Sequence, residues 1–427
     1  MTPGSAATAP SFAADTAIDD VDLAALADRL GTPLHAYSSS AIRQRIGGLQ
    51  AALSGLDATI CYAVKANPNL AILQLMANAG VGADIVSAGE MRRSLHAGMS
   101  AERIVFSGVG KTADEIAGAL SVGIHRFNVE SHDELLTLQR LAGAQGVTAR
   151  AAVRINPDVD AHTHAKISTG KSENKFGVSI DEARHWFAER SLLPHVQLDG
   201  LHVHIGSQIL ALEPFRLALQ RVAAFRRELE QAGHPVNSID VGGGLGVCYR
   251  AGEDHPVAAA DYVAAIREAL AGYRGRLLLE PGRYLVAEAG VLLTRVIRVK
   301  PGIARQFLVV DAAMNDLQRP SLYDAWHDIV PVSGEPRTPT TYDIVGPVCE
   351  SGDTFARNRV MPECMAGDLL LIKATGAYGA SMASTYNSRP LAPEVLLNQG
   401  RYAVVRRRQH FEEMIAGEQP AHHWETT

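Results

Sequence analysis

The run ATICYAVKANPNLAILQLMANAGVGADIV, residues 58–86, decides the fold. Residues 58–64 are apolar or β-branched and read as a buried strand that ends at Lys65. Asn69–Ala79 then repeats apolar residues at helical spacing, and a second strand is expected over 82–86. Strand, helix and strand in that order make a βα unit with parallel strands. The alternation continues, with strands expected near 58–64, 82–86, 103–106, 125–128, 149–155, 196–203, 237–241 and 276–280, and helices such as Ser131–Ala142 and Glu213–Ala232. Eight such units over roughly 250 residues predict an α/β fold of the (β/α)8 barrel type.

Working outward, the rhythm stops after about Gly290. Val291–Val299, Gln306–Val310, Thr341–Val345 and Asp368–Lys373 read as strands of a second, mainly β domain. Val21–Arg29 reads as a short amphipathic helix and Leu34–Tyr37 as a strand before the barrel. The expected organisation is a flexible lead-in over 1–20, a barrel over 36–285, a β-rich domain from 21–35 with 286–416, and a flexible tail over 417–427. The polar stretch Asn156–Gly177 is long for a βα loop and is expected to act as a lid.

The chain has 427 residues, is 47% hydrophobic and carries a formal charge of -6. That length favours two domains, and the charge gives no electrostatic footprint for nucleic acid. Cys61, Cys248, Cys349 and Cys364 lack metal-site or disulfide-framework spacing. The N-terminus has neither the basic start nor the apolar stretch of a secretory signal. A cytoplasmic enzyme of small-molecule metabolism, away from membranes, is the expectation.

The polar residues cluster at the ends of the expected strands. Lys65 follows the first, Asp84 lies in the second, Arg154 in the fifth, and His202 and His204 close the sixth. Gly242-Gly243-Gly244 follows the seventh, and Glu280-Pro281-Gly282-Arg283 closes the eighth. A barrel gathers such ends into one mouth. Alone, Lys65 reads as a lysine carrying its amine to solvent. In this company it reads as a partly desolvated amine, its pKa lowered, ready to form a Schiff base.

A glycine run can be a tight turn or a phosphate cradle, and His204-Ile205-Gly206-Ser207 offers a hydroxyl to the same anion. Glu280 suits a pyridine nitrogen, and alone it suits the cap of a Pro-Gly turn. His202 and His204 have the spacing of metal ligands without a convincing third, so no metal is expected. Cys349 beside Glu350 offers a thiol that can protonate a carbanion, and Tyr378 a phenol among small residues.

Together, Tyr62-Ala63-Val64-Lys65-Ala66-Asn67, His202-Val203-His204-Ile205-Gly206-Ser207-Gln208, Glu280-Pro281-Gly282-Arg283 and Cys349-Glu350-Ser351-Gly352-Asp353 closely resemble the diaminopimelate decarboxylases. The likeness runs from about residue 35 to 405 and includes His162–Gly170 and Tyr386-Asn387-Ser388-Arg389-Pro390. It implies a pyridoxal 5′-phosphate enzyme of the alanine-racemase-like barrel class, acting as a homodimer with shared active sites. The implied reaction takes meso-2,6-diaminopimelate to L-lysine and carbon dioxide. By the same likeness Lys65 carries the cofactor and His204 stacks on its ring. Asp84, Arg154, Gly282, Arg283 and Tyr378 also contact the cofactor, Ser207 and Gly242–Gly244 hold its phosphate, and Glu280 pairs with its ring nitrogen. Cys349 of the second subunit protonates Cα.

The distal amino-acid head of that substrate needs cations for a carboxylate and an acceptor for an ammonium. Arg283, Arg319 and Tyr323 match the family's positions for the first and Glu350 for the second; Tyr378 joins them. An ornithine or arginine decarboxylase would have no distal carboxylate to engage. Glu280 argues against an alanine racemase, and the C-terminal strands against a non-catalytic pyridoxal-phosphate-binding barrel.

Overall fold

The computed structural model describes residues 15–160, 175–303, 305–332, 337–421 and 424. Its chain divides into two compact units, one of residues 39–289 with 376–381, the other of the remainder. The segments outside the described residues include His162–Gly170 and most of the expected lid.

Nineteen strands are formed among the described residues: β1 (Ala17–Ile18), β2 (Val21–Asp22), β3 (Leu34–Ser38), β4 (Ala58–Ala63), β5 (Gly82–Ile85), β6 (Ile104–Phe106), β7 (Arg126–Val129), β8 (Ala149–Arg154), β9 (Val196–His202), β10 (Ser238–Asp240), β11 (Arg276–Leu279), β12 (Gly290–Pro301), β13 (Gln306–Val310), β14 (Ile329–Pro331), β15 (Pro339–Val345), β16 (Thr354–Pro362), β17 (Leu369–Ile372), β18 (Glu394–Asn398) and β19 (Arg401–Arg406). Strands β4 to β11 close into the expected parallel barrel, each paired to the next in chain order and β11 to β4. Each coincides with an expected strand to within a residue or two at its ends.

The helices between them start where side-chain caps are available. Asn69 caps Leu70–Asn78, Ser87 caps Ala88–His96, Ser131 caps His132–Gln145 and Ser179 caps Ile180–Ala188. Each such cap satisfies a backbone N–H that the first turn leaves without a partner, worth about 1 kcal/mol. Gly123 and Gly146 end two helices in the left-handed conformation that a side chain disfavours. Parallel register then sets the level of the mouth residues: Ala63 lies opposite Asp84, and His202 lies between Arg154 and Asp240.

The second unit is built by pairings far apart in sequence. Its main sheet runs β16, β15, β13, β12, β3, β18, β19, with β17 pairing β12 and β14. Strand β3 pairs antiparallel with β12 and parallel with β18, so Leu34–Ser38 belongs wholly to this sheet. The expected lead-in needs correcting over its last residues, because Ala17–Ile18 hydrogen-bonds to Val21–Asp22. Residues 1–14 of that lead-in, and 422, 423 and 425–427 of the expected tail, lie outside the described residues. The helix expected from Val21 starts at Leu23, capped by Asp22, whose side chain accepts from Ala25 N.

Candidate active site

Strand β4 delivers Lys65 into a tight 3-10 turn, Val64–Ala66, immediately past its last residue. The Lys65 Nζ donates to Asp84 Oδ2 at 3.0 Å; Asp84 is fully buried, while the lysine side chain keeps 41% exposure. This corrects the expected neutral amine. Burial alone would lower the lysine's pKa, but Asp84, Tyr378 and Glu280 outweigh it and raise the value above that of an ordinary lysine. The amine is therefore held as an ammonium. The other Asp84 oxygen, Oδ1, is buried without a hydrogen-bond partner among the described residues.

Glu280 is fixed from both sides. Its Oε1 accepts from Ser107 Oγ at 3.2 Å and Asn128 Nδ2 at 3.0 Å, and its Oε2 meets His202 Nε2 at 3.1 Å. Burial, with help from the nearby Asp84 charge, pushes its pKa up to about 7. His202 is driven by burial down to about 4, so its ring is neutral near pH 7. Asp240 is pushed by burial and Glu280 up to about 6, although Arg126 Nη2 donates to it at 3.2 Å. His202, Asp240 and Glu280 bring their polar atoms within 4.8 Å of one another.

His204 lies two residues beyond the end of β9, past the strand that was expected to reach it. Its Nδ1 accepts from Gly243 N at 3.2 Å, and burial, with Arg154 and Lys65, lowers its pKa well below the usual histidine value. The ring is thus neutral with its proton on Nε2. Gly242 N donates to Asp240 Oδ1 at 3.0 Å. Two of the three amides assigned to a phosphate are therefore used inside the turn, and only Gly244 keeps its N–H out of these bonds. The glycines are needed for close approach: a Cβ on Gly242 would lie 2.3 Å from Val203 O, and one on Gly243 2.3 Å from Glu280 O.

Arg283 is buried, and its Nη2 and Nη1 donate to Ser207 Oγ at 3.0 Å and Tyr249 OH at 2.6 Å. Its guanidinium lies 4.8 Å from the Tyr378 ring centroid. Tyr378 N donates to Ala66 O at 2.8 Å, so the 376–381 segment packs beside the turn that carries Lys65. Gly282 sits where a Cβ would come 3.0 Å from that of Ala63 and 3.1 Å from that of Ala66. Arg154 donates to Glu130 Oε1 at 2.9 Å and stacks 4.8 Å from the Phe176 ring centroid.

The barrel unit thus brings together Lys65, Asp84, Arg154, His204, Ser207, the three glycines, Glu280, Gly282, Arg283 and Tyr378. Arg319, Tyr323, Cys349 and Glu350 belong to the other unit. There Arg319 Nη1 donates to His327 Nε2 at 2.7 Å, and His327 Nδ1 donates to Lys373 O at 2.7 Å. Arginine only donates, which fixes the proton on Nδ1. Cys349 and Glu350 are exposed in a turn; Cys349 N donates to Asn387 Oδ1 at 3.1 Å, and Gly352 N to Glu350 Oε1 at 3.4 Å.

Ser107, Asn128, Glu130 and Asp240 were not singled out from the sequence. Their positions at the ends of expected strands were the available signal, but serine, asparagine and glutamate at such places are ordinary turn and cap residues.

The pattern of the pyridoxal-dependent decarboxylase family, pyridoxal binding domain, matches residues 39–287. The diaminopimelate decarboxylase of Zymomonas mobilis is 47% identical over 405 residues, covering 94% of this chain and 96% of that protein. The one from Pseudomonas aeruginosa is 48% identical, again covering 94% and 96%. The crystal structure of the Helicobacter pylori diaminopimelate decarboxylase complexed with L-lysine superposes with a TM-score of 0.90 at 44% identity, covering 93% of this chain and 99% of that one.

Proposed function

This chain belongs to the diaminopimelate decarboxylases of the pyridoxal-dependent decarboxylase family, and from that membership we infer how its own residues carry the reaction. It decarboxylates meso-2,6-diaminopimelate to L-lysine and carbon dioxide, the closing step of lysine biosynthesis, with pyridoxal 5′-phosphate as cofactor. The residues present fit that group. A buried Asp84 oxygen without a partner lies beside a half-exposed amine, and a buried acid stands ready for a ring nitrogen. The cofactor, when bound, supplies a ring that draws in the electron pair left at Cα as carbon dioxide departs.

Lys65 Nζ is the covalent attachment point. Because Asp84 holds it as an ammonium, a proton must leave Nζ before it can bond to carbon, and Asp84 Oδ2 at 3.0 Å is the adjacent acceptor. Glu280 would hold the ring nitrogen and favour its protonated form, and Ser107, Asn128 and His202 fix both Glu280 oxygens. His204, its ring neutral, would hold the cofactor ring without placing a second charge against it. Since Arg283 donates twice to Ser207 Oγ, through Nε at 3.3 Å and Nη2 at 3.0 Å, the Ser207 hydroxyl would act as a donor, and it and the Gly244 N–H would hold the phosphate.

The barrel unit is the cofactor domain. Arg283, Arg319 and Tyr323 hold the distal carboxylate of the substrate, and Glu350 its ammonium. Cys349, from the second subunit of a homodimer, delivers a proton to Cα; its exposure on a turn supports that role. A cytoplasmic location is supported by four unpaired cysteines and by the lack, among the described residues, of a helix long and apolar enough to cross a membrane. The observation that carries the reading is the pairing of Lys65 with buried Asp84 opposite a Glu280 fixed by three donors. Carbon dioxide release from meso-diaminopimelate, ornithine, arginine and lysine tests it: turnover of meso-diaminopimelate above the other three is expected, and preference for ornithine or arginine would move the chain to the diamine-forming enzymes.

A further inference from the structure

Behind the mouth lies a buried lysine that the reaction does not use. Lys111 follows Gly108-Val109-Gly110, where a lysine reads as a solvated loop residue, yet its side chain is 1% exposed. An ammonium has three N–H donors, and all three are engaged: Gly108 O at 2.7 Å, Asn128 O at 2.8 Å and Glu134 Oε1 at 2.7 Å. The three acceptors come from three places in the chain: its own loop, β7 and the helix His132–Gln145.

Each of these contacts continues to a site residue in one step or two. Asn128, whose carbonyl Lys111 holds, gives its side-chain amide to Glu280 and to Ser107 Oγ, both at 3.0 Å. Gly108, whose carbonyl Lys111 also holds, follows Ser107, the second donor to Glu280, and gives its own N–H to Glu130 Oε1 at 3.0 Å. Glu134 takes Lys111 on Oε1 and the Glu130 N–H on Oε2 at 3.1 Å, and Glu130 in turn takes Arg154. We propose that Lys111 is a positioning residue, a buried point charge that holds Ser107 and Asn128, the donors to Glu280, on one side and Glu130, the acceptor of Arg154, on the other.

The charges support this. Glu130 and Glu134 face Arg154 and Lys111, so removing Lys111 leaves two buried carboxylates against one guanidinium. Burial raises the Glu134 pKa, and Lys111 is the chief influence opposing it. Arginine is no substitute, because its planar fork cannot serve three acceptors that diverge from one point.

The proposal rests on the pyridoxal phosphate reading, so binding by the wild-type protein is the first measurement; failure there overturns that reading and this role of Lys111 with it, whereas the variants below test Lys111 alone. With binding established, Lys111→Met keeps the stem and removes the charge. Its pyridoxal phosphate Kd, read by fluorescence quenching, is expected to rise roughly tenfold or more, with altered visible circular dichroism of the bound cofactor. A purely structural lysine would lower the melting temperature and leave both readouts unchanged in the folded fraction, and that result overturns the proposal. If Lys111→Met does not fold, Lys111→Met/Glu134→Gln removes the ion pair as a unit and Lys111→Arg keeps the charge; wild-type Kd and circular dichroism in whichever of these folds overturn the proposal equally.

Discussion

The barrel mouth and the Cys349-Glu350 turn of the β unit carry their polar residues in opposite ways. In the barrel, buried groups answer one another between adjacent strands and across the interior: Lys65 meets Asp84 and Arg154 meets Glu130 from adjacent strands, Arg126 reaches Asp240 across the barrel, and Glu280 is held by Ser107, Asn128 and His202. In the β unit, Cys349 and Glu350 lie exposed on one turn, bonded only to near neighbours on that surface. Buried charges must be paired or hydrogen-bonded, because desolvation without a partner is costly. Exposed groups carry no such demand and are free to act on something beyond the unit. That exposure is what the proposed role of Cys349, as a proton donor to a second chain, requires.

The strongest test strikes the barrel. Lys65→Ala should remove the long-wavelength absorbance of bound cofactor and lower carbon dioxide release by roughly three orders of magnitude or more, with a lowered melting temperature because buried Asp84 loses its cation. An unchanged spectrum would remove Lys65 from its role. The next test asks whether the exposed turn serves a second chain. Lys65→Ala and Cys349→Ala, each inactive alone, should together recover at most about a quarter of wild-type activity, because random pairing makes half the dimers mixed and each has one intact site. Mixed dimers shown to form yet wholly inactive would argue that both residues serve the same chain's site.

Glu280→Gln should lower kcat roughly a hundredfold. It also carries a pH signature in the cofactor-free protein. The folded pKa of Glu280 is raised from 4.5 to about 7, so the folded state binds its proton more tightly than the unfolded chain does. Glu280 therefore subtracts nothing from stability below about pH 4.5, subtracts increasingly as the pH rises to 7, and subtracts a constant amount above that. The variant should gain stability relative to wild type from pH 5 to 7, by at most about 1.4 kcal/mol per pH unit. Parallel unfolding profiles across that window would show that Glu280 is not held protonated.

The smallest effect belongs to the β unit, where Tyr37 OH donates to the buried carboxylate of Glu394 and so ties β3 to β18. Tyr37→Phe leaves that carboxylate one donor short, which costs about 1–3 kcal/mol. Melting should fall by a few degrees while kcat of the folded enzyme stays unchanged. A fall in kcat without a fall in melting would show that this sheet does more than support.

Much of this was legible in the chain. The eight barrel strands could be read because each helix returns the chain to a parallel neighbour, so local periodicity and fold order coincide. The β unit was less legible, since β3 finds partners in β12 and β18, hundreds of residues away, and the strand Thr354–Pro362 is interrupted by Arg357 and Arg359. Lys65, His204 and Glu280 stood out because polar residues followed or closed apolar strands.

The sequence by itself determined the alternation that makes a barrel and the residue types gathered at its mouth, because both follow from short-range patterning. The tertiary structure alone decided their states. Whether Lys65 is neutral depends on Asp84, which the register sets opposite Ala63; whether Glu280 keeps a proton depends on burial and on Asp84; and whether Lys111 is solvent-facing or buried depends on how three separate segments close around it. Protonation and pairing are properties of distance and desolvation, and only the closed barrel fixes either.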